Sequence, residues 1–232
     1  MPLVQLNNLS KIYQMGDVSI SALKDVNLEI EAGTFVSIVG PSGSGKSTAL
    51  NLIGCLDLPS TGSIKVADQE VSQLNKKQRA IFRGDHLGFV FQNFNLIPVL
   101  TVYENVEYPL IMVKNEDRKK HRERILELLD AVGVLEQRDK RPHQISGGQM
   151  QRVAVARALI TQPKLVIADE PTANLDHDTA FKIIDLMKKM KDQRNTTFIF
   201  STHDEKIIGE AEIIFTLEDG AITNIEDRRS HV

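Results

Sequence analysis

The stretch Gly40-Pro41-Ser42-Gly43-Ser44-Gly45-Lys46-Ser47-Thr48 constrains this chain more than any other. A glycine, four residues and then Gly-Lys-Ser is the spacing of a loop that cradles phosphate. The residues before it, Phe35-Val36-Ser37-Ile38-Val39, read as a buried strand. Those from Lys46 to about Leu56 read as a helix with Leu50 and Ile53 inward. A strand, a glycine-rich turn and a helix start make an anion site. The glycines let backbone N–H groups converge, and the helix N-terminus adds partial positive charge. In such a loop Gly40, Ser42, Gly43, Gly45 and Thr48 surround the phosphates. Lys46 reaches the β- and γ-phosphates, and the Ser47 hydroxyl sits on Mg²⁺.

A length of 232 residues suits one large domain, or one core with a subdomain. A net charge of −3 gives no global pull toward nucleic acid or an acidic membrane, so no nucleic-acid partner is expected. Cys55 is the single cysteine, so no internal disulfide forms, which fits a reducing compartment. The start, Met1-Pro2-Leu3-Val4-Gln5-Leu6, lacks the pattern of a signal peptide, and no stretch approaches a membrane span. A cytoplasmic protein is expected, with any membrane role supplied by a partner.

Short strands precede the loop: Val4 to Tyr13, Val18 to Leu23, and Val26, Leu28 and Ile30 alternating with polar residues. Some of them are expected to be antiparallel. After the first helix come a strand over Ser63–Ala67, a turn or cap at Ser72, a short helix over Asn75–Arg83 and a buried strand over Gly88–Phe91. From Asn93 to about Arg157 the texture changes to an apolar loop (Phe94 to Leu100), a helix over Val102–Met112 interrupted by Pro109, and an amphipathic helix over Glu116–Val132. Residues 93–157 therefore read as a helical subdomain inserted in an α/β core. Its basic residues, Arg118 to Arg124, alternate with acids and read as a solvated face. A helix over Gln149–Thr161 follows. Strands Leu165–Ala168 and Thr197–Ser201, joined by a helix over Thr179–Lys191, form a βαβ unit. Asp219-Gly220 between two apolar runs signals a hairpin, and the tail from Glu226 reads as loose.

Three apolar strands end in residues that suit phosphate chemistry. Leu165-Val166-Ile167-Ala168 runs into Asp169 and Glu170: the first can hold Mg²⁺, the second can polarise water. Gln92 ends the Gly88–Phe91 strand, where its amide can bind the metal or orient water. His203 follows the Thr197–Ser201 strand, where its imidazole can donate to a γ-phosphate oxygen. The other histidines, His86, His121, His143, His177 and His231, show no metal spacing.

Ile145-Ser146-Gly147-Gly148-Gln149 opens a helix with small residues, again suited to an anion. With this element the chain resembles the ATP-binding-cassette (ABC) ATPases, whose signature is Leu-Ser-Gly-Gly-Gln; Ile145 is a mild departure. The likeness runs over essentially all 232 residues, through the phosphate loop, Gln92, the signature, Asp169-Glu170, Asn174-Leu175-Asp176 and His203 in order.

The resemblance implies a RecA-like P-loop core with a parallel sheet, an N-terminal antiparallel part and a helical insertion. It implies ATP and Mg²⁺ as ligands, and hydrolysis with Glu170, His203 and Gln92 as catalytic residues. Ser47, Gln92 and Asp169 would attend the metal. It also implies a head-to-tail homodimer. There Ser146, Gly147, Gly148 and Gln149 of one chain would meet the nucleotide on the other chain's Lys46, with Asp176 at the interface. Tyr13 matches the family's adenine-stacking aromatic. The segments Phe91–Val106 and Ala168–Asp176 look like the branch holding LolD-, MacB- and FtsE-type ATPases. That implies a four-span permease partner and a peripheral place on the cytoplasmic face of the cell membrane. In that branch the work is lipoprotein release, macrolide or peptide-type export, or mechanical signalling in cell division. A soluble ABC ATPase of DNA maintenance would need long coiled coils, and the interval from Ser47 to Ser146 holds no sustained heptads. A P-loop kinase is the remaining class; Glu170 beside Asp169 favours water as the acceptor.

Overall fold

The computed structural model describes residues 2–114, 117 and 121–229. Two sheets organise them. The larger has six strands in the order β10-β9-β3-β8-β7-β6: Ala221–Asp227, Ile213–Glu218, Phe35–Val39, Thr197–Ser201, Leu165–Asp169 and Leu87–Phe91. All its neighbours run parallel except the terminal β9–β10 hairpin. The smaller is antiparallel, in the order β2 (Val18–Ile30), β1 (Val4–Met15), β4 (Thr61–Val66) and β5 (Gln69–Glu70).

The parallel strands are buried on both faces, and period-two alternation divides their side chains between two cores. Phe35, Val166, Ala168, Phe198 and Phe200 point to one side. Val36, Ile38, Leu165, Ile167 and Ile199 point to the other, where they meet α1 (Lys46–Ile53) and the antiparallel sheet. The Phe35 ring lies 4.9 Å from that of Phe200 and 5.9 Å from that of Phe198. The first side is covered by α3 (Val102–Met112), α4 (Arg122–Ala131), α5 (Gly147–Leu159) and α6 (His177–Arg194). The helical insertion thus shares its core with the sheet. The remaining helices are α2 (Lys76–His86) and the short α7 (Glu205–Ile208).

Local chemistry moves several expected boundaries. The two strands expected over residues 18–30 are one, bent by bulges that place Asn8 and Asp25 at φ 47°. The Asn27 carboxamide and the Ser10 hydroxyl accept the backbone N–H groups of Asn8 and Asp25, so the bends carry their own partners. Asn75, not Ser72, caps α2, through a reciprocal box with Gln78. Pro109 sits inside α3 without ending it. The helix expected from Glu116 is α4, starting at Arg122. Asp117 lies outside it, and Glu116 and Arg118–Lys120 lie outside the described residues. The tail is held farther than expected: Glu226 and Asp227 belong to β10, and the Arg229 guanidinium pairs with Glu31. Among the described residues, no helix is long and apolar enough to cross a membrane.

Candidate active site

Strand register brings the expected residues to one edge of the large sheet. Phe91 pairs with Asp169, Asp169 with Ser201, and Ser201 with Ile38. The next residues along each chain path are Gln92, Glu170, Thr202-His203 and Val39-Gly40. Parallel strands therefore deliver the phosphate loop, both carboxylates, the glutamine and the histidine to the same carboxyl-terminal rim, where ligands of open α/β sheets bind.

Two of the loop's glycines are required by close approach. Gly40 has φ 145°, and a Cβ there would fall 2.0 Å from the Leu217 carbonyl oxygen. Gly45 has φ 106°, and its Cβ would lie 2.5 Å from the Ala22 carbonyl oxygen. Pro41, Ser42 and Gly43 face solvent, and the space beside Gly43 is open. Behind them α1 begins at Lys46, leaving its first N–H groups without intrahelical acceptors. This cradle fits a polyphosphate. The Lys46 ammonium already lies over the loop, donating to the Gly40 and Pro41 carbonyls at 2.8 and 2.9 Å.

Ser47 Oγ donates to Asp169 Oδ1 at 3.3 Å, so a hydroxyl and a carboxylate converge beside the cradle. Among the described residues, no group of three or more His, Cys, Asp or Glu side chains forms a metal cage. An ion here would be held by Ser47, Asp169, water and phosphate oxygens, which is how Mg²⁺ is usually bound beside phosphates. Ser201, fully buried, joins the Asp169 carboxylate to the Glu170 backbone. Its hydroxyl donates to Asp169 Oδ1 at 2.6 Å and accepts the Glu170 backbone N–H at 3.0 Å. Glu170 adopts φ 48°, a left-handed conformation costing about 1–2 kcal/mol for a residue with a Cβ. Its carboxylate then meets His203 Nδ1 at 3.0 Å. Glu170 is largely enclosed and His203 is exposed, so the pair has one dry and one open side.

Gln92 is exposed at the start of the loop that follows β6. Its carbonyl accepts from Asn174 Nδ2 at 2.9 Å, linking it to the segment before Asp176. Beyond it the Arg157 guanidinium donates to the carbonyls of Phe94 and Asn95, both at positive φ. Asn105, fully buried, holds Ile97 by its N–H and carbonyl and also donates to the Leu100 carbonyl. Sequence reading misses Ser201, Arg157 and Asn105. Each is an ordinary residue of a strand or helix until tertiary partners are known.

Tyr13, half-buried on β1, donates its hydroxyl to Asp57 Oδ2 at 2.9 Å. The signature lies elsewhere. Ser146 caps α5 in a reciprocal box with Gln149, with distances of 3.3 and 2.9 Å. Ser146, Gly147, Gly148, Gln149 and Asp176 line a cavity of about 460 Å³ that contains no residue of the phosphate loop. Asp176 caps α6, and bonds from Thr179 hold its carboxyl below the usual range.

A parallel sheet with a phosphate cradle, an acidic strand end and a paired glutamate and histidine defines a P-loop nucleoside triphosphatase. The family described as ABC transporter matches residues 23–173, and the chain belongs to it. It is 46% identical over 234 residues to the uncharacterized ABC transporter ATP-binding protein MJ0796 of Methanocaldococcus jannaschii, covering 98% of each. It is 42% identical to the lipoprotein-releasing system ATP-binding protein LolD of Pseudoalteromonas translucida, over 95% of this chain and 94% of that one. Against the macrolide export protein MacB of Bdellovibrio bacteriovorus it is also 42% identical, spanning 34% of that longer protein. A solved structure of MJ0796, described as a dimeric post-hydrolysis state bound to ADP and Pi, superposes with TM-score 0.89 at 45% identity, over 97% of this chain and 99% of that one. The chain is an ATP-hydrolysing ABC ATPase related to the MacB and LolD types.

Proposed function

We propose that this chain is the motor subunit of a transporter, closing head to tail with a second copy around two Mg-ATP molecules and driving a membrane permease. The observation that carries it is the separation of the signature cavity from the phosphate loop. Each chain holds two unlike half-sites, and a head-to-tail pair completes both. The MJ0796 structures are described as dimeric, one of them bound to ADP and Pi, which supports a pair of chains as the working unit. In this reading residues 93–157 form the helical arm that presents the signature.

Within the site, Gly40, Ser42, Gly43, Gly45, Lys46, Ser47 and Thr48 hold the phosphates, and Tyr13 stacks on the adenine. Ser47, Asp169 and Gln92 would hold Mg²⁺, which would offset charge on the phosphates. Glu170, its carboxylate oriented by His203 Nδ1, accepts the proton of the attacking water; the water oxygen bonds the γ-phosphorus as the bridge to the β-phosphate breaks, giving ADP and inorganic phosphate. Ser146, Gly147, Gly148, Gln149 and Asp176 close over the partner's nucleotide. ATP bridges both chains and ADP lacks the bridging phosphate, so hydrolysis loosens the clamp.

The permease would dock beside Gln92. A groove of about 470 Å³ runs between α2 and α3, lined by Ala80, Gly84, Phe89, Phe91, Pro109 and Val113. Val113 of its lining is exposed, as are Ile81 on α2 and Tyr108 and Met112 on α3. The apolar loop Phe94–Leu100 after Gln92 is expected to share this docking: Leu96 packs partly on the core while Val99 stands exposed. A four-span permease would hold the chain at the cytoplasmic membrane face. LolD- and MacB-type likeness points to lipoprotein release or macrolide-type export, with the cargo contacts in the permease.

Two measurements test this. Glu170→Gln with saturating Mg-ATP should elute as a dimer while releasing no phosphate; a monomer would sink the clamp for the isolated subunit. Val113→Asp should keep ATP binding and lose capture of a membrane permease from detergent-solubilised native membranes. Equal capture would rule out the groove.

A further inference from the structure

Tyr13 does not stand alone at the edge of the antiparallel sheet. Its hydroxyl donates to Asp57 Oδ2 at 2.9 Å. The Lys11 ammonium bridges Asp57 Oδ1 and the Leu58 carbonyl at 2.9 and 2.7 Å, and sits 4.7 Å from the centre of the Tyr13 ring. Leu58 N–H donates to the same Asp57 oxygen at 2.7 Å. Ile20, cross-strand from Tyr13 and half-exposed, shares its face of the β1–β2 ribbon.

Asp57 follows α1, the helix whose N-terminus faces the phosphates, after the Gly54-Cys55-Leu56 turn. A single carboxylate therefore ties the aromatic ring on one sheet to the far end of the phosphate helix. The cation fixes one ring face and leaves the other for a base. The titration directions agree with this geometry. Burial, then the bond to Asp57, raises the Tyr13 phenol; burial is also the largest single effect on Asp57 and would raise it, but the bonds from Lys11, Leu58 N–H and Tyr13 together outweigh it and lower its carboxyl.

We infer that Asp57, braced by Lys11, is a positioning residue for nucleotide binding: it fixes the Tyr13 ring relative to the phosphate loop, so that base stacking and phosphate capture occur on one rigid unit. The inference rests on the reading that Tyr13 stacks on the adenine.

The test uses the purified full chain and steady-state phosphate release. Asp57→Ala and Tyr13→Phe should each raise the KM for ATP roughly 3- to 10-fold with kcat nearly constant, the scale of one hydrogen bond. The double variant should be no worse than either single one, because both remove the same bond. Asp57→Asn, which keeps an acceptor, should recover part of the loss. Inhibition by inorganic tripolyphosphate, which has no base, should be unchanged in all of these variants. If Asp57→Ala weakens tripolyphosphate as much as ATP, the residue acts on the fold and the inference fails. If Tyr13→Ala raises KM and Asp57→Ala does not, stacking stands and the positioning role is refuted. If Tyr13→Ala leaves KM unchanged, the stacking reading itself is wrong.

Discussion

Replacing Ser201 with alanine removes one oxygen and frees both the Asp169 carboxylate and the Glu170 backbone. Ser201 Oγ donates to Asp169 Oδ1 at 2.6 Å and accepts from Glu170 N at 3.0 Å, in a fully buried position. A hydrogen bond to a charged group contributes about 1.5–3 kcal/mol, and an amide left without its acceptor adds to the loss. A total near 3 kcal/mol lowers the melting temperature of a domain this size by about 6–12 °C. The catalytic effect has a different source. Glu170 holds a left-handed backbone, and the Ser201 acceptor is one of the contacts keeping it there. Without that contact the carboxylate drifts from His203, and kcat should fall about 10- to 100-fold, or roughly 1.4–2.8 kcal/mol. KM for Mg-ATP should change less than kcat does, because Ser201 bonds no residue of the phosphate loop and reaches Ser47 only through Asp169. Phosphate release at saturating Mg-ATP, run beside a thermal melt, measures both. Ser201→Cys, with a weaker donor and acceptor, should fall between wild type and alanine. A Ser201→Ala protein with wild-type kcat would refute the claim that this hydroxyl organises the site.

Gly148→Ala places a Cβ 2.5 Å from Thr179 Cγ2, pressing the signature against α6; ATPase activity should drop at least about tenfold and return in the Gly148→Ala, Thr179→Ala double variant. No recovery would mean the glycine serves another purpose. Burial, partly offset by Arg83 and Arg79, pushes the Cys55 thiol up to about 11. The folded chain keeps that proton longer than the unfolded one, so this contribution is intact below about pH 9 and falls by about 2–3 kcal/mol toward pH 11. Denaturant melts should show wild type losing stability relative to Cys55→Ala across that window; parallel curves would contradict it. The chain has no tryptophan, so Tyr13→Trp creates a lone fluorophore whose emission should change on adding ATP and stay constant with tripolyphosphate. A constant signal with both would place the base elsewhere.

Much of the site is legible in the sequence because parallel strands carry their motifs at their ends. Once Val39, Phe91, Asp169 and Ser201 are recognised as the last residues of buried strands, a parallel sheet sets their successors in the chain on one rim. Glycine spacing and helix starts are local signals, so the phosphate loop and the signature can be read without tertiary knowledge. Partners distant in sequence cannot. Asp57 meets Tyr13 across 44 positions and Ser201 meets Asp169 across 32. A serine at the end of an apolar strand looks the same whether or not it grips a carboxylate. The bend in β2 reads as a break because Lys24-Asp25 interrupts the alternation; the bulge restores pairing through side chains of the neighbouring strand. Arg229 escapes notice because its partner, Glu31, lies 198 positions away.

The back wall of the phosphate cradle belongs to the β9–β10 hairpin, nearly 180 residues downstream by the count from Gly40 to Leu217 and Gly220. The Leu217 carbonyl presses on Gly40, and Gly220 N–H donates to the Ser44 carbonyl at 3.1 Å. A nascent chain emerging from the ribosome carries the whole phosphate-loop sequence long before β9 and β10 appear. Until that hairpin docks, the glycine turn leans only on Ala22 and Leu23 of β2. A chain cut short after α6 therefore carries the motif with one wall of its cradle missing.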